Sequence, residues 1–324
     1  MVSYNIQSFD ITQLIKQYRG KTLEELYKEN HEIIKNKMGE FLELNWEEGD
    51  FPCNLKLFQT RKKLLYNLKT VHYIGEFIED RLKGRGIKTL KDLRFLNLRY
   101  GESANSILGL IEKKDYVNLK KNKYVDDLDV SFCFKVGDLL FLDIETLGLF
   151  DNAIIIVGIG FFRNKKYEIH LFFARSLSEE IAICEHLKTN ILPNFKCFVT
   201  YNGKRFDIPY IANRFLYYFD ENPMISEEDI PYEISNTKFH HIDLYHICRR
   251  RFRGLFEGYS LTNLEEQLLN MKRQNVLPSS MVPMCYKKYQ SNPYRYIGLI
   301  KECIEHNYYD VYSMPLILQK LLKT

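Results

Sequence analysis

Three apolar stretches in close succession restrict this chain more than any other feature: GDLLFLDIE from Gly137, AIIIVGIGFF from Ala153 and KYEIHLFF from Lys166. The first two are too continuously apolar to leave a face in water, and the third alternates with period two. Three such strands make a sheet whose faces need cover. The next segments supply it. SEEIAICEHLKTNI predicts a helix opened by Ser178, FKCFVTYN a strand, DIPYIANRFLYYF a helix and FHHIDLYHICRR a strand running into a helix. Helices continue to PYRYIGLIKECIEHNYYDVYSMPLILQKLL. The expected fold is α/β, a mixed sheet of about five strands flanked by helices. No apolar run reaches the roughly 18 residues of a membrane span. The longest, residues 153–162, is broken by Gly158 and Gly160, is followed by Arg163 and reads as a buried strand.

Upstream of residue 136 the pattern is helical. Ile11, Leu14, Ile15 and Tyr18, then Leu23, Leu26, Ile33 and Ile34, stand at helical spacing and predict two amphipathic helices within a segment 1–60. Residues 60–112 predict short helices punctuated at Gly75, Gly84, Gly86 and Gly101, with Thr89 capping the helix that opens at Leu90. Residues 115–137 turn polar and acidic and predict a linker with at most one strand. The expected organisation is a helical segment 1–60, a basic region 61–123 and an α/β domain 136–324. The opening MVSYNIQSFDITQLIKQY lacks the basic start, apolar middle and small-residue cleavage site of a signal peptide, so a cytoplasmic location is expected. Seven cysteines with no C-x-x-C pair argue against a disulfide framework or a zinc site.

A net charge of +4 conceals an uneven distribution. Residues 61–123 carry 16 Lys+Arg against 7 Asp+Glu, whereas residues 141–324 carry 22 against 21. One region is suited to grip a polyanion while another acts on it. Lysines that merely solvate helix faces are the competing reading.

Four acids stand in unusual places. Asp143 and Glu145 lie two apart on the first strand, so both project from one face at its C-terminal end, where open sheets build sites. Two carboxylates beside a core repel each other unless a positive group neutralises them, and a hard divalent ion does so. Asp207 follows the loop YNGKRFD at a helix start, and Asp310 lies well inside the C-terminal helix. Brought together, the four would hold two ions about 3.5–4 Å apart, the arrangement that clamps attacking and leaving oxygens in phosphoryl transfer. Each acid also has a plainer role: turn chemistry for Asp143 and Glu145, an N-cap for Asp207, a solvated helix residue for Asp310.

The local sequences resemble a known family. FLDIETLGL resembles the first motif of the DEDD superfamily of ribonuclease-H-like 3′–5′ exonucleases, VTYNGKRFDIPYIANRF the second and HNYYDVYSM the third. The match is nearest to the bacterial YprB-like ribonuclease-H-like group, which shares the H-x-D-L of His241, Asp243 and Leu244 and the Y-S-L of Tyr259, Ser260 and Leu261, and it covers about residues 136–322. The resemblance implies Mg²⁺ or Mn²⁺, two ions, held by Asp143, Glu145, Asp207 and Asp310. Asp143 would bridge both, Glu145 and Asp310 would hold the water-activating ion, and Asp207 would serve the leaving-group ion. Proofreading relatives place a tyrosine four residues before the last acid or a histidine five before it. Here His306 stands four before Asp310, one helical turn away and on the same face. It is implied as the water-orienting base, beside the competing role of a core or capping histidine.

Asn202 and Lys204, in the loop before Asp207, are candidates for substrate contact, with turn-forming roles as the alternative. Asp243 reads as a helix cap and Arg214 as a locally paired cation. Tyr201 and Tyr308 are candidates to stack a base, although most of the aromatic residues read as core. The stretch TVHYIGEFIEDRLKGRGIKTLKDL resembles a helix-hairpin-helix, which implies phosphate contacts around Gly75, Lys83 and Arg85. The implied reaction is hydrolysis of nucleic acid, DNA or RNA, from a 3′ end of a single strand. A structure-specific endonuclease, a non-catalytic nucleic-acid-binding module and a metal-free interaction domain are the alternatives.

Overall fold

The computed structural model describes residues 11–96, 98–149, 151–224, 238–273 and 277–323; the first ten residues of the opening segment lie outside it. The chain forms two compact units, one built from Met1–Cys53 and Gly137–Leu318, the other from Asn54–Val136 and Gln319–Thr324.

The first unit is built on one sheet whose strands are β1 (His31–Asn36), β2 (Gly39–Glu48), β3 (Leu139–Thr146), β4 (Ile154–Arg163), β5 (Lys166–Phe173), β6 (Cys197–Thr200) and β7 (His240–Asp243), in the order β1-β2-β5-β4-β3-β6-β7. Pairing is antiparallel from β1 through β3 and parallel from β3 through β7. The sheet has seven strands rather than about five because residues 31–48 are a hairpin. Of the stretch read as two helices, Ile11–Tyr18 and Leu23–Leu26 are helical among the described residues, and Ile33 and Ile34 lie on β1. Helical spacing misled there. Gly39, at the turn into β2, takes φ +140°, which interrupts any helix.

The period-two logic holds on β3. Leu140, Leu142 and Ile144 face a core shared with Ile183, Ile211 and Phe215, so the helices Glu180–His186 and Asp207–Phe219 cover this side. Phe141, Asp143 and Glu145 project from the other side, where the helix Pro293–Lys323 packs.

The two glycines of β4 explain how closely that helix approaches. A Cβ at Gly158 would overlap Asn307 Oδ1 and lie 2.8 Å from Val311, and one at Gly160 would collide with the Tyr167 hydroxyl. That hydroxyl donates to the Val311 carbonyl at 2.9 Å. Val311 is four residues before Pro315, which has no N–H to offer it, so buried Tyr167 satisfies an acceptor that the proline orphaned.

The second unit is helical, with Leu64, Leu68, Val71, Leu82, Leu90, Leu93, Ile107 and Ile111 in its core. Thr89 caps Leu90–Leu93 in a capping box with Asp92. The segment 115–137 is not a bare linker. It holds the helix Tyr116–Lys120 and buries Leu128, Val130 and Phe132, and none of its residues is a strand.

Candidate active site

Asp143, Glu145, Asp207 and Asp310 line one cleft of about 640 Å³ in the sheet unit, together with Tyr201, Asn202 and Ser279. Two come from β3, which bulges between Glu145 and Thr146. Asp207 is the first residue of its helix, whose inward stripe is Asp207, Tyr210, Ile211, Arg214 and Phe215. Asp310 comes from the C-terminal helix, one turn after His306. All but Asp143, which is half-buried, are buried.

Three of the four acids are held by different devices. Asp207 Oδ1 accepts the Ile144 N–H at 3.0 Å, which ties its helix to the strand between the other two acids. Asp143 Oδ2 accepts from the Asn307 amide at 2.7 Å. Asp310 Oδ1 accepts from Arg273 at 2.5 Å. His306 Nε2 lies 3.4 Å from Asp310 Oδ2 and 3.8 Å from Glu145 Oε1, and is hydrogen-bonded to the Ser279 hydroxyl at 2.9 Å.

The electrostatics follow from crowding acids in a dry place. Burial, then the charges of Asp310, Asp207 and Glu145, push the Asp143 carboxyl well above the carboxylate range. Burial, Asp310 and Asp207 do the same to Glu145. Burial pushes Asp207 up to about 7 against the opposing hydrogen bond from Ile144. Burial lowers the His306 imidazole below its ordinary value, against the opposing pull of Asp310. Without a cation, burial and mutual repulsion disfavour the charged forms of Asp143, Glu145 and Asp207. A hard divalent ion relieves the repulsion and favours those charged forms. The donor set fits that role: Glu145, His306 and Asp310 each offer a ligand atom within 4.8 Å of the others.

The loop before Asp207 is equally ordered. Asn202 takes φ +66°, and a Cβ at Gly203 would come within 2.5 Å of Thr200 Oγ1, so the tight turn needs glycine. Asp243 caps Leu244–Arg251 through the Tyr245 N–H, and its two oxygens also take the Asn202 and Lys204 N–H groups at 2.9 and 3.0 Å. Asn202 therefore points from a fixed loop into the cleft, while Lys204 is exposed and does not line it. Tyr201, Tyr245 and Tyr259 line the adjoining part of the cleft.

A model of the RNase_H superfamily matches residues 140–322, more than half of the chain. The chain belongs to the RNase H superfamily. The match begins one residue into β3 and takes in all four acids. The sequence is also similar to the uncharacterized protein YprB of Bacillus subtilis (strain 168), 26% identical over 186 residues. That alignment covers 56% of this chain and 41% of the relative, so the chain spans less than half the length of the protein it resembles. RNase H superfamily members are generally hydrolases that act on nucleic acid, and the carboxylate cluster of this one is suited to divalent metal.

One candidate lies elsewhere than the sequence suggests. Tyr308 packs against Trp46 and donates to Glu48, away from the cleft-lining residues. Arg214 forks onto Glu180 at 2.6–2.7 Å, the local pair its sequence context suggests. In the helical unit Gly75 is an extended N-cap of Glu76–Gly84, Arg85 is exposed, and Lys83 is paired with Glu79 at 3.0 Å. Asn307, Arg273, Glu265 and Ser279 were not singled out from the sequence. Asn307 was findable, because it directly follows His306 in the third motif. Arg273 had no local signal, since only the fold makes it a neighbour of Asp310.

Among the described residues no helix is long and apolar enough to cross a membrane.

Proposed function

We propose that this chain is a divalent-metal-dependent nuclease that removes nucleotides from the 3′ end of single-stranded nucleic acid. The supporting observation is the convergence of four carboxylates from three separate elements on one cleft, three of them buried. Asp143, Glu145, Asp207 and Asp310 are the proposed holders of two Mg²⁺ or Mn²⁺ ions. Two such ions, when bound, supply Lewis-acid stabilisation of the attacking and leaving oxygens of a phosphodiester.

The chain's own groups do the rest. His306, whose basicity burial lowers and which is within hydrogen-bonding distance of Ser279, is the proposed acceptor of a proton from a water that attacks in line. Asn202 meets the terminal nucleotide, and the walls formed by Tyr201, Tyr245 and Tyr259 offer rings on which bases stack. In the helical unit, the Gly75 turn and Arg85 contact phosphates without reading sequence, and Lys83 contributes less because Glu79 already holds its ammonium.

Strands of DNA and RNA labelled at either end, incubated with Mn²⁺, test this reading. Wild-type protein shortens linear strands from the 3′ end and leaves a circular single strand intact, while Asp143→Ala binds but does not cut. Cutting of the circle makes the enzyme an endonuclease. Retardation without shortening, or full activity in Asp143→Ala, ends the nuclease reading.

A further inference from the structure

Arg273 is a cation at the edge of the acid cluster, against Asp310, with a side chain only 3% exposed. Its Nε and Nη2 both donate to Glu265, Nη2 at 2.6 Å, and Nη2 also reaches Asp310 Oδ1 at 2.5 Å. Nη1 approaches the His306 carbonyl at 3.5 Å. Glu265 is fully buried, on the helix Leu261–Leu269 that Ser260 caps. The chain leaves that helix through Asn270 in the left-handed region, with the Met271 N–H returning to the Glu265 carbonyl, and so brings Arg273 back over Glu265.

The charges are informative. Glu265 and Arg273 cancel, leaving Asp143, Glu145, Asp207 and Asp310 with four formal negative charges, the number that two divalent ions neutralise. Had Arg273 stood there alone, it would compete with a cation. Paired with Glu265, it is neutral toward the cluster as a whole, yet still fixes one oxygen of Asp310. The other oxygen, Oδ2, lies 3.4 Å from His306 Nε2. Planar guanidinium geometry is essential here, because one fork must serve Glu265 and Asp310 together, which a point-charge ammonium does not do.

We propose that the buried Glu265–Arg273 pair is a positioning element for metal binding: it commits Asp310 Oδ1 to the protein and presents Oδ2 to the cation. The proposal rests on the reading of the cluster as a metal centre. Partners of metal ligands placed in this way typically set affinity by 10–100-fold.

The test is Mn²⁺ affinity, measured by calorimetry and by the free-Mn²⁺ electron paramagnetic resonance signal, on protein whose far-ultraviolet circular dichroism is unchanged. Arg273→Lys binds Mn²⁺ about tenfold or more weakly than wild type. In an Asp310→Asn background the same substitution has no further effect, because the two residues act through one contact. Glu265→Gln, which loosens the bracket from the other side and keeps a hydrogen-bonding group, weakens Mn²⁺ binding in the same direction; it carries the test if Arg273→Lys fails to fold. A purely structural pair would lower the melting temperature of the metal-free protein and leave Mn²⁺ affinity at the wild-type value, and that result overturns the proposal. Absence of Mn²⁺ binding by wild-type protein overturns the metal centre itself, an outcome distinct from a variant that matches wild type.

Discussion

The two units differ in how much charge they bury. The sheet unit buries a whole group of charged side chains, Glu145, Asp207, Glu265, Arg273 and Asp310, in and beside one cleft, whereas the helical unit buries the carboxylate Glu79, held by the Leu68 N–H, in an otherwise largely apolar core and keeps most of its surplus of basic residues at the surface. Buried carboxylates cost stability unless they are paired or metal-bound. Their concentration in one unit shows where the chain has accepted that cost for chemistry. The helical unit leaves Phe77 79% and Phe95 85% exposed among its cations.

Glycine substitutions break this comparison most sharply. Gly158→Ala, whose Cβ would overlap Asn307, displaces the amide that holds Asp143; it should cost about 1–3 kcal/mol of stability and most of the cleavage rate. Gly109→Ala, in an open position on a helix of the other unit, should instead raise stability by about 0.5–1 kcal/mol and leave cleavage alone. Thermal melts and initial rates on the two variants decide it. Equal effects would mean that the sheet unit is no more tightly constrained than the helical one.

Charge reversal sharpens the other half. Arg85→Glu with Lys88→Glu, both exposed, should weaken nucleic-acid binding and reduce the slope of log affinity against log salt by roughly one, while Mn²⁺ affinity stays unchanged. An unaltered slope would assign those charges to solvation alone.

The smallest effect concerns pH. In metal-free protein the Asp207 carboxyl is pushed up to about 7, above its unfolded value near 3.9. The folded state therefore prefers the protonated acid. The stability this lends is complete below the unfolded value and is lost as pH rises through 7. Asp207→Asn, which keeps an acceptor for the Ile144 N–H, should raise the melting temperature in chelator more at pH 8 than at pH 5. A gain independent of pH would show that buried charge is not the cost.

Much of the fold was legible where a local rule operates. Period two placed Asp143 and Glu145 on the face of β3 opposite Leu140, Leu142 and Ile144, and Thr89 caps as its chemistry requires. Local rules failed where two structures satisfy one pattern. Ile33 and Ile34 fit a helix by spacing, but the pairing of β1 with β2, and of β2 with β5, gives their backbone partners in a sheet.

By itself the sequence determined the identities and order of the acids, the strand that carries two of them, and the glycines without which no helix could lie so near β4. Tertiary structure alone decided that Asn307 grips Asp143, that Asp243 clamps the Asn202 loop, and that Arg273 reaches from a distant turn to share Asp310 with Glu265. The reason is physical: strand and helix periodicity arise from bonds between near neighbours. The field at a buried carboxylate is instead set by whichever charges the folded chain brings within a few ångströms, however far apart they stand in sequence.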